Sequence, residues 1–208
     1  MTFFRKTYLE HWKSYEYCAI DVEATGLDLR RDEVISIGAA KIIEGRFKGV
    51  GNFYEEIAPS IKPSHSSIEI HGLRGMDLES AKPASLVMPE LVTYLSGCHL
   101  IAHASWVEKG FLSKKLRDAG YKYPKRVVDT AALARFVGVA EKGSGHEPSL
   151  EHLARTLNLP LYTPHHALGD AMTTAAVFLA LATRIEKELV ESSGEILTLE
   201  RLLNISKD

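Results

Sequence analysis

Two carboxylates stand one residue apart in Asp21-Val22-Glu23-Ala24-Thr25-Gly26-Leu27, directly after the apolar run Tyr17-Cys18-Ala19-Ile20. Such a run reads as a buried strand, and side chains on a strand alternate between its faces. Asp21 and Glu23 therefore share one side, Ile20, Val22 and Ala24 the other, and Thr25-Gly26 breaks the strand. Paired acids at a strand's end are costly unless something positive neutralises them, and a divalent cation does so directly. A strand emerging into water with two solvated acids explains the stretch alone equally well.

Other acids bear on that choice. Glu108 lies in His103-Ala104-Ser105-Trp106-Val107-Glu108, where Ser105-x-x-Glu108 fits a capping box, the stronger local reading. Asp170 lies in Pro164-His165-His166-Ala167-Leu168-Gly169-Asp170, at the start of a long helical pattern where a negative charge suits the dipole. Five residues of helix turn through about 500°, so on one continuous helix His165 and Asp170 would diverge by about 140°. They face a common site only if His165 precedes the helix; a helix begun at Pro164 would separate them. Asp129 reads as a helix N-cap. Asp28, Asp32 and Glu33 read as loop surface. Lys109, Lys114, Lys115, Arg117, Lys122, Lys125 and Arg126 cluster against only Glu108 and Asp118. That cluster fits a solvated helix face as well as a phosphate-binding rim.

The chain around these residues has 208 amino acids, enough for one good core. Its 45% apolar and 25% charged residues are ordinary for a globular protein. A formal charge of −2 exerts no global pull on nucleic acid or anionic lipid, so any such footprint is local. No stretch reads as long and apolar enough to span a bilayer, and the opening residues lack a signal-peptide pattern. Cys18 and Cys98 read as small core residues of a reducing compartment. The expectation is a cytoplasmic protein with no membrane partner.

The elements follow from periodicity. Strands are expected over about 16–23, 34–44 and 46–57, joined by short turns as an antiparallel meander. Residues 65–71 suggest a turn of helix. Pro83 and Pro89 flank the start of a helix running to about Leu95. A short strand at 99–102 precedes a helix from about Ser105 to Ala119, and a strand at 126–128 leads into a helix to about Val137. Residues 138–149, rich in Gly and polar groups, suggest a mobile loop. Ser149 can cap a helix over 150–157. Leu168, Ala171, Ala175, Phe178, Ala182 and Ile185 give a strong helical period, and Ile196, Leu199 and Leu203 mark a tail helix. Residues 1–15 suggest an arm or short helix. Strands first, then alternating helices and short strands, imply an α/β or α+β domain whose mixed sheet has helices on both faces. No repeat or linker divides the chain, so 1–208 is expected to form a single domain with its core at about 16–185 and a tail at 194–208.

Four segments, in order, resemble the DEDD exonuclease superfamily, as seen in the proofreading subunit of bacterial DNA polymerase III, ribonuclease T and oligoribonuclease. Asp21-Val22-Glu23-Ala24-Thr25-Gly26-Leu27 is similar to the first motif, Ile101-Ala102-His103 through Phe111-Leu112 to the second, and Val128-Asp129-Thr130 to the segment after it. His165-x-x-x-x-Asp170 is similar to the third motif of the histidine subclass (DEDDh). Ile70-His71-Gly72-Leu73 and Ser149-Leu150-Glu151-His152-Leu153 also fall where such proteins carry similar stretches. The resemblance covers about 16–185 and implies a ribonuclease H-like α/β fold, a five-stranded mixed sheet with its first three strands antiparallel, flanked by helices. The second motif departs from the family's His-Asn-x-x-Phe-Asp: Ala104 replaces Asn, Val107 replaces Phe, and Glu108 stands where the metal-binding Asp would be.

The resemblance implies a 3′-5′ exonuclease that uses two divalent cations, Mg²⁺ or Mn²⁺, about 4 Å apart. Asp21 would bridge both, Glu23 and Asp170 would hold the one that activates water, and Glu108 would assist the second. His165 would be the general base, since an imidazole ordinarily titrates near 6.5; His166 is the less favoured substitute. Ala24, Thr25, Gly26, Leu27, His103 and Val107 would meet the substrate, with Leu27 wedged against a base. The products would be nucleoside 5′-monophosphates from the 3′ ends of single-stranded DNA. Exoribonuclease or oligoribonuclease-like activity is the enzymatic alternative. A non-catalytic module that binds nucleic acid or a polymerase is the other. The implied partners are single-stranded 3′ ends and a polymerase or another replication or repair protein.

Overall fold

The computed structural model describes residues 9–141 and 147–207. The first eight residues of the expected arm and the centre of the expected loop at 138–149 lie outside them. β1 (Tyr17–Ala24) lies at the middle of a mixed sheet, antiparallel to β2 (Val34–Ile43) on one side and parallel to β5 (His99–Ala102) on the other. β5 in turn pairs in parallel with β6 (Val128–Asp129). The expected third strand is divided in two: β3 (Arg46–Phe47) and β4 (Phe53–Glu56) both pair antiparallel with β2, giving six strands among the described residues. Gly51 between them takes the left-handed backbone conformation, which interrupts an extended run.

The alternation read from β1 is what divides the core. Tyr17 and Ala19 pack into a cluster with Trp12, Phe178 and Leu181, while Cys18 and Ile20 pack into another with Met88, Leu91 and Leu112. Helices α2 (Ala84–Leu95) and α3 (Trp106–Asp118) cover the second face. The first face is covered by α4 (Thr130–Phe136), α5 (Leu150–Thr156), α6 (Ala167–Ser193) and α7 (Leu199–Ile205). A short α1 (His65–His71) follows β4; Ser64 caps its start and Gly72, at φ +77°, ends it. Both cysteines are free thiols.

Three details differ from the sequence expectation. Pro89 lies inside α2, which begins at Ala84, and the Thr93 hydroxyl donates to the Pro89 carbonyl at 2.9 Å. Ile196 is exposed ahead of α7, whose buried residues are Leu199, Leu202, Leu203 and Ile205. α6 has the length and composition of a membrane span, contrary to expectation. Its apolar face is spent on β1, β2 and the helices beside it, with Ala171, Ala175, Phe178 and Ala182 fully buried.

A glycine sets how close α6 comes to the sheet. Gly38 on β2 stands opposite Asp21 in the β1–β2 register. A β-carbon there would lie 2.2 Å from the backbone of Ala167 and Leu168. Gly169 repeats the device, since its β-carbon would meet the Thr163 carbonyl oxygen at 2.2 Å. Both obstacles are backbone, which cannot swing aside as a side chain does. Gly38→Ala is expected to cost about 2–3 kcal/mol by urea denaturation. It should also weaken divalent-cation binding, because the start of α6 must move.

Candidate active site

β1 carries Asp21 and Glu23 on the side that faces α6, and α6 returns Asp170 from its first turn. One carboxylate oxygen from each of the three lies within 4.8 Å of the others. The β1–β2 register shifts between Glu23 and Ala24, a bulge of the kind that re-aims side chains beside a site. The cluster sits where parallel strands β1, β5 and β6 end, the edge at which α/β sheets gather ligands.

His165 precedes α6, as a shared site requires. Its backbone is left-handed, at φ +58°, and its N–H donates to the Asp170 carboxylate at 3.0 Å. Asp170 thus fixes the kink that sets His165 beside the cluster. His166 is the N-cap of α6 and its ring stacks on Tyr54, with centroids 4.4 Å apart.

Glu108 does not form the capping box. The Ser105 side chain makes no cap bond, and the Ser105 amide donates instead to Asp129 at 2.8 Å. Glu108 turns inward, is 3% exposed, and its Oε2 is buried without a partner. It stays outside the 4.8 Å cluster, yet among nearby charges it acts most strongly on Asp21. Asp129 caps α4 as expected, accepting from the amides of Ala131 and Ala132, and so ties α3 and α4 together through one carboxylate. The Ser206 hydroxyl accepts from the Asp129 amide at 3.0 Å, which links α7 to the same point.

The acids hold their protons tightly. Burial, then the charges of Glu108, Asp170 and Glu23, raises Asp21 well above the ordinary range. Burial and the Asp170 charge push Glu23 up to about 7. Burial raises Glu108 to about 8, with Asp129 adding to it, and burial raises Asp170 to about 6. Among the described residues no lysine or arginine pairs with any of the four. An oxygen-rich cluster of three acids, with the orphaned Glu108 oxygen buried beside it, fits hard divalent cations, which take carboxylate ligands.

A groove of ≈ 340 Å³ opens from Glu23. Ala24, Gly26, Leu27 and Val107 line it, together with Ile70 and His71 of the Ile70-His71-Gly72-Leu73 stretch, to which the sequence assigned no role at the site. Leu27 is 89% exposed and free to meet a ligand. Thr25 is not among the lining residues, and this corrects its assignment to substrate. It is fully buried, its hydroxyl donates to Asp32 and accepts from the Glu33 amide, and its carbonyl accepts from the Ser64 amide and the Ser67 hydroxyl. Asp32 and Glu33 are accordingly structural: Asp32 also accepts from the Asp28 amide, and Glu33 from Ser60. Nothing in the local sequence distinguishes such a clamp from a polar loop. His103 is also engaged within the fold, with one ring nitrogen 2.9 Å from the Thr130 hydroxyl and the other 2.6 Å from the Pro148 carbonyl.

The folded chain binds protons on Glu23, Asp170 and Glu108 more tightly than the unfolded chain does. This stabilises the metal-free fold at low pH, and the contribution is lost as pH rises from about 4 through about 8. Thermal unfolding of chelator-treated protein should therefore show Tm falling between about pH 5 and about pH 8. Mg²⁺ or Mn²⁺ should restore more of it at the upper end, because binding must displace those protons.

Known proteins resemble this chain in sequence and in fold. A family model described as "Exonuclease" (RNase_T) matches residues 18–178. A PolC-type DNA polymerase III of Thermotoga petrophila is 30% identical over 191 residues, which is 91% of this chain and 14% of that protein, so the chain spans about a seventh of its length. Exonuclease X, solved with 5′-overhanging duplex DNA, superposes with a TM-score of 0.64 at 21% identity, over 91% of this chain and 99% of that one. The nuclease domain of 3′hExo, solved with rAMP, gives 0.66 at 18%, over 88% and 95%. These two likenesses establish the ribonuclease H-like fold, and the family match extends from Cys18 to Phe178, across all four segments that carry the candidate site: this chain belongs to the RNase_T exonuclease family.

Proposed function

We propose that this chain is a 3′-5′ exonuclease that removes nucleoside 5′-monophosphates from the 3′ ends of single-stranded DNA. The observation that carries this reading is the convergence of Asp21, Glu23 and Asp170 at the head of a groove, with His165 tied to Asp170. Asp21, Glu23 and Asp170, with Glu108 beside them, would hold two divalent cations, Mg²⁺ or Mn²⁺. When bound, these would supply an activated water and offset the charge of the phosphodiester.

The chain's own residues do the rest. His165 takes the proton from the attacking water as the new P–O bond forms. The bond from phosphorus to the O3′ of the preceding nucleotide breaks, and that oxygen leaves as a 3′-hydroxyl after protonation. Ala24 and Gly26 let the terminal nucleotide approach the backbone, and Leu27 wedges against its base. Thr25 serves from behind, holding the 24–27 turn through Asp32, Ser64 and Ser67. His103 braces the Ala102–Ser105 turn against Thr130 and Pro148, so the strand's contacts there fall to Val107. Residues 9–15 and α7 belong to the same body, since Trp12, Leu199 and Leu202 share one core cluster. The relative named as a DNA polymerase favours DNA and a polymerase partner.

The neighbour solved with rAMP keeps RNA as a second substrate reading, separated by rates on matched DNA and RNA strands. The replacement at Glu108 supports a binding-only module, which should show no strong divalent site by calorimetry. With 5′-labelled single strands and Mn²⁺, the protein is expected to give a ladder shortening from the 3′ end. Asp21→Ala should abolish the ladder, and His165→Ala should slow it by about 10²–10⁴-fold while leaving metal binding in place. A protein that degrades neither DNA nor RNA with either cation would overturn the reading.

A further inference from the structure

A second cleft, of ≈ 580 Å³, lies along α3 away from the groove. Lys109, Ser113 and Arg117 of α3 line it, with Tyr121, Lys122 and Lys125 of the following loop. Lys109, Arg117, Lys122 and Lys125 form no ion pair among the described residues, whereas their neighbours Lys115 and Arg126 pair with Glu33 and Glu200. In a chain of formal charge −2, four uncommitted cations at one cleft are a local surplus.

The α3 side of the cleft runs back along one helix face toward the first turn, where Trp106 stands. Trp106, Lys109, Ser113 and Arg117 are spaced i, i+3, i+7 and i+11, within an arc of about 80°. From Trp106 to Arg117 the helix rises about 16 Å, long enough to pass more than one phosphate of an extended strand. Trp106 stands in the first turn of α3, next to Val107 of the groove, two residues before Glu108, and is 56% exposed. At the back of the cleft Tyr123 lies close enough to Glu108 to feel its charge, and its hydroxyl is buried without a partner.

We propose that this cleft is a track for the single strand behind the scissile nucleotide, with phosphates along Lys109, Arg117, Lys122 and Lys125 and a base stacked on Trp106. An aromatic platform at one end of a cationic groove suits unstacked bases better than a closed duplex. The proposal rests on the exonuclease reading but is tested apart from catalysis, by binding in excess chelator, where no strand is cut.

The chain has two tryptophans, and Trp12 is fully buried, so a fluorescence change on adding a single-stranded DNA 12-mer reports Trp106. Quenching is expected, and Trp106→Phe should remove it. Arg117→Glu with Lys122→Glu should weaken binding by tenfold or more. Loss of two phosphate contacts should lower the slope of log affinity against log salt by about 1.4. Arg117→Ala with Lys122→Ala should lower the slope without adding repulsion, and both pairs should keep the wild-type unfolding midpoint. Lys187→Glu with Arg201→Glu, the same charge change on α6 and α7, should leave affinity within twofold. Wild-type affinity and slope in both Arg117/Lys122 pairs, as expected if the cleft takes an acidic protein segment, would overturn the proposal. So would a 12-mer that binds without quenching Trp106. Failure of the exonuclease reading shows separately, as absence of cleavage by the wild type with Mn²⁺.

Discussion

Negative charge held where water is scarce is the constraint on which this molecule turns. Asp21, Glu23 and Asp170 come within 4.8 Å of one another and Glu108 stands buried beside them, all with raised proton affinity. Like charges so placed repel unless protons or cations neutralise them. The fold therefore has to hold them by means other than their own interactions. Two acids ride on the central strand, where backbone pairing with β2 fixes them just past the end of its pairing with β5. The third rides on α6, pressed to the sheet because Gly38 offers no side chain to keep it off, while Gly169 lets the Tyr162–Thr163 backbone close against the helix. The packing of the long helix against β1 and β2 offsets what the acids cost.

Asp129 does for α3 what the glycines do for α6. One of its oxygens accepts from the Ser105 amide at the start of α3, the other from the first amides of α4, and its own amide is satisfied by Ser206 beyond α7. A single buried carboxylate thus fixes the entry of the helix that carries Glu108, and the tail of the chain buttresses it. Neutral donors satisfy both oxygens of Asp129, whereas Oε2 of Glu108 has no partner, although both residues are buried.

That contrast explains what was legible in the sequence. The period-two alternation of β1, the helical period from Leu168 and the caps Asp129 and Ser149 are local patterns, and each formed as read. Asp21 and Glu23 could be placed on one face because strand geometry leaves no other choice. Glu108 could not be read locally. Ser105-x-x-Glu108 satisfies the capping pattern, but a residue 24 positions away takes the amide that the box would use. Thr25 differs for a related reason: its hydroxyl is taken by Asp32 and the Glu33 amide, which fold back onto it. The third strand split at a glycine whose backbone conformation the sequence permits but does not require. What stayed illegible at Glu108 and Thr25 was a competition for partners outside the local pattern.

The glutamate in place of the family's aspartate is part of the same competition. At the third helical position a carboxylate can accept from the free amides of its own helix end, as Glu108 does from its own backbone amide. With the Ser105 amide already claimed, the longer side chain reaches inward, leaving Oε2 with no donor. An orphaned carboxylate oxygen costs about 1–3 kcal/mol, and a proton on it or a cation near it relieves that cost. Since this charge is also the one Asp21 feels most, whatever neutralises Glu108 eases the ionisation of Asp21 as well. The extra methylene leaves the wall of the site in place and makes its closure depend on the charge that arrives there.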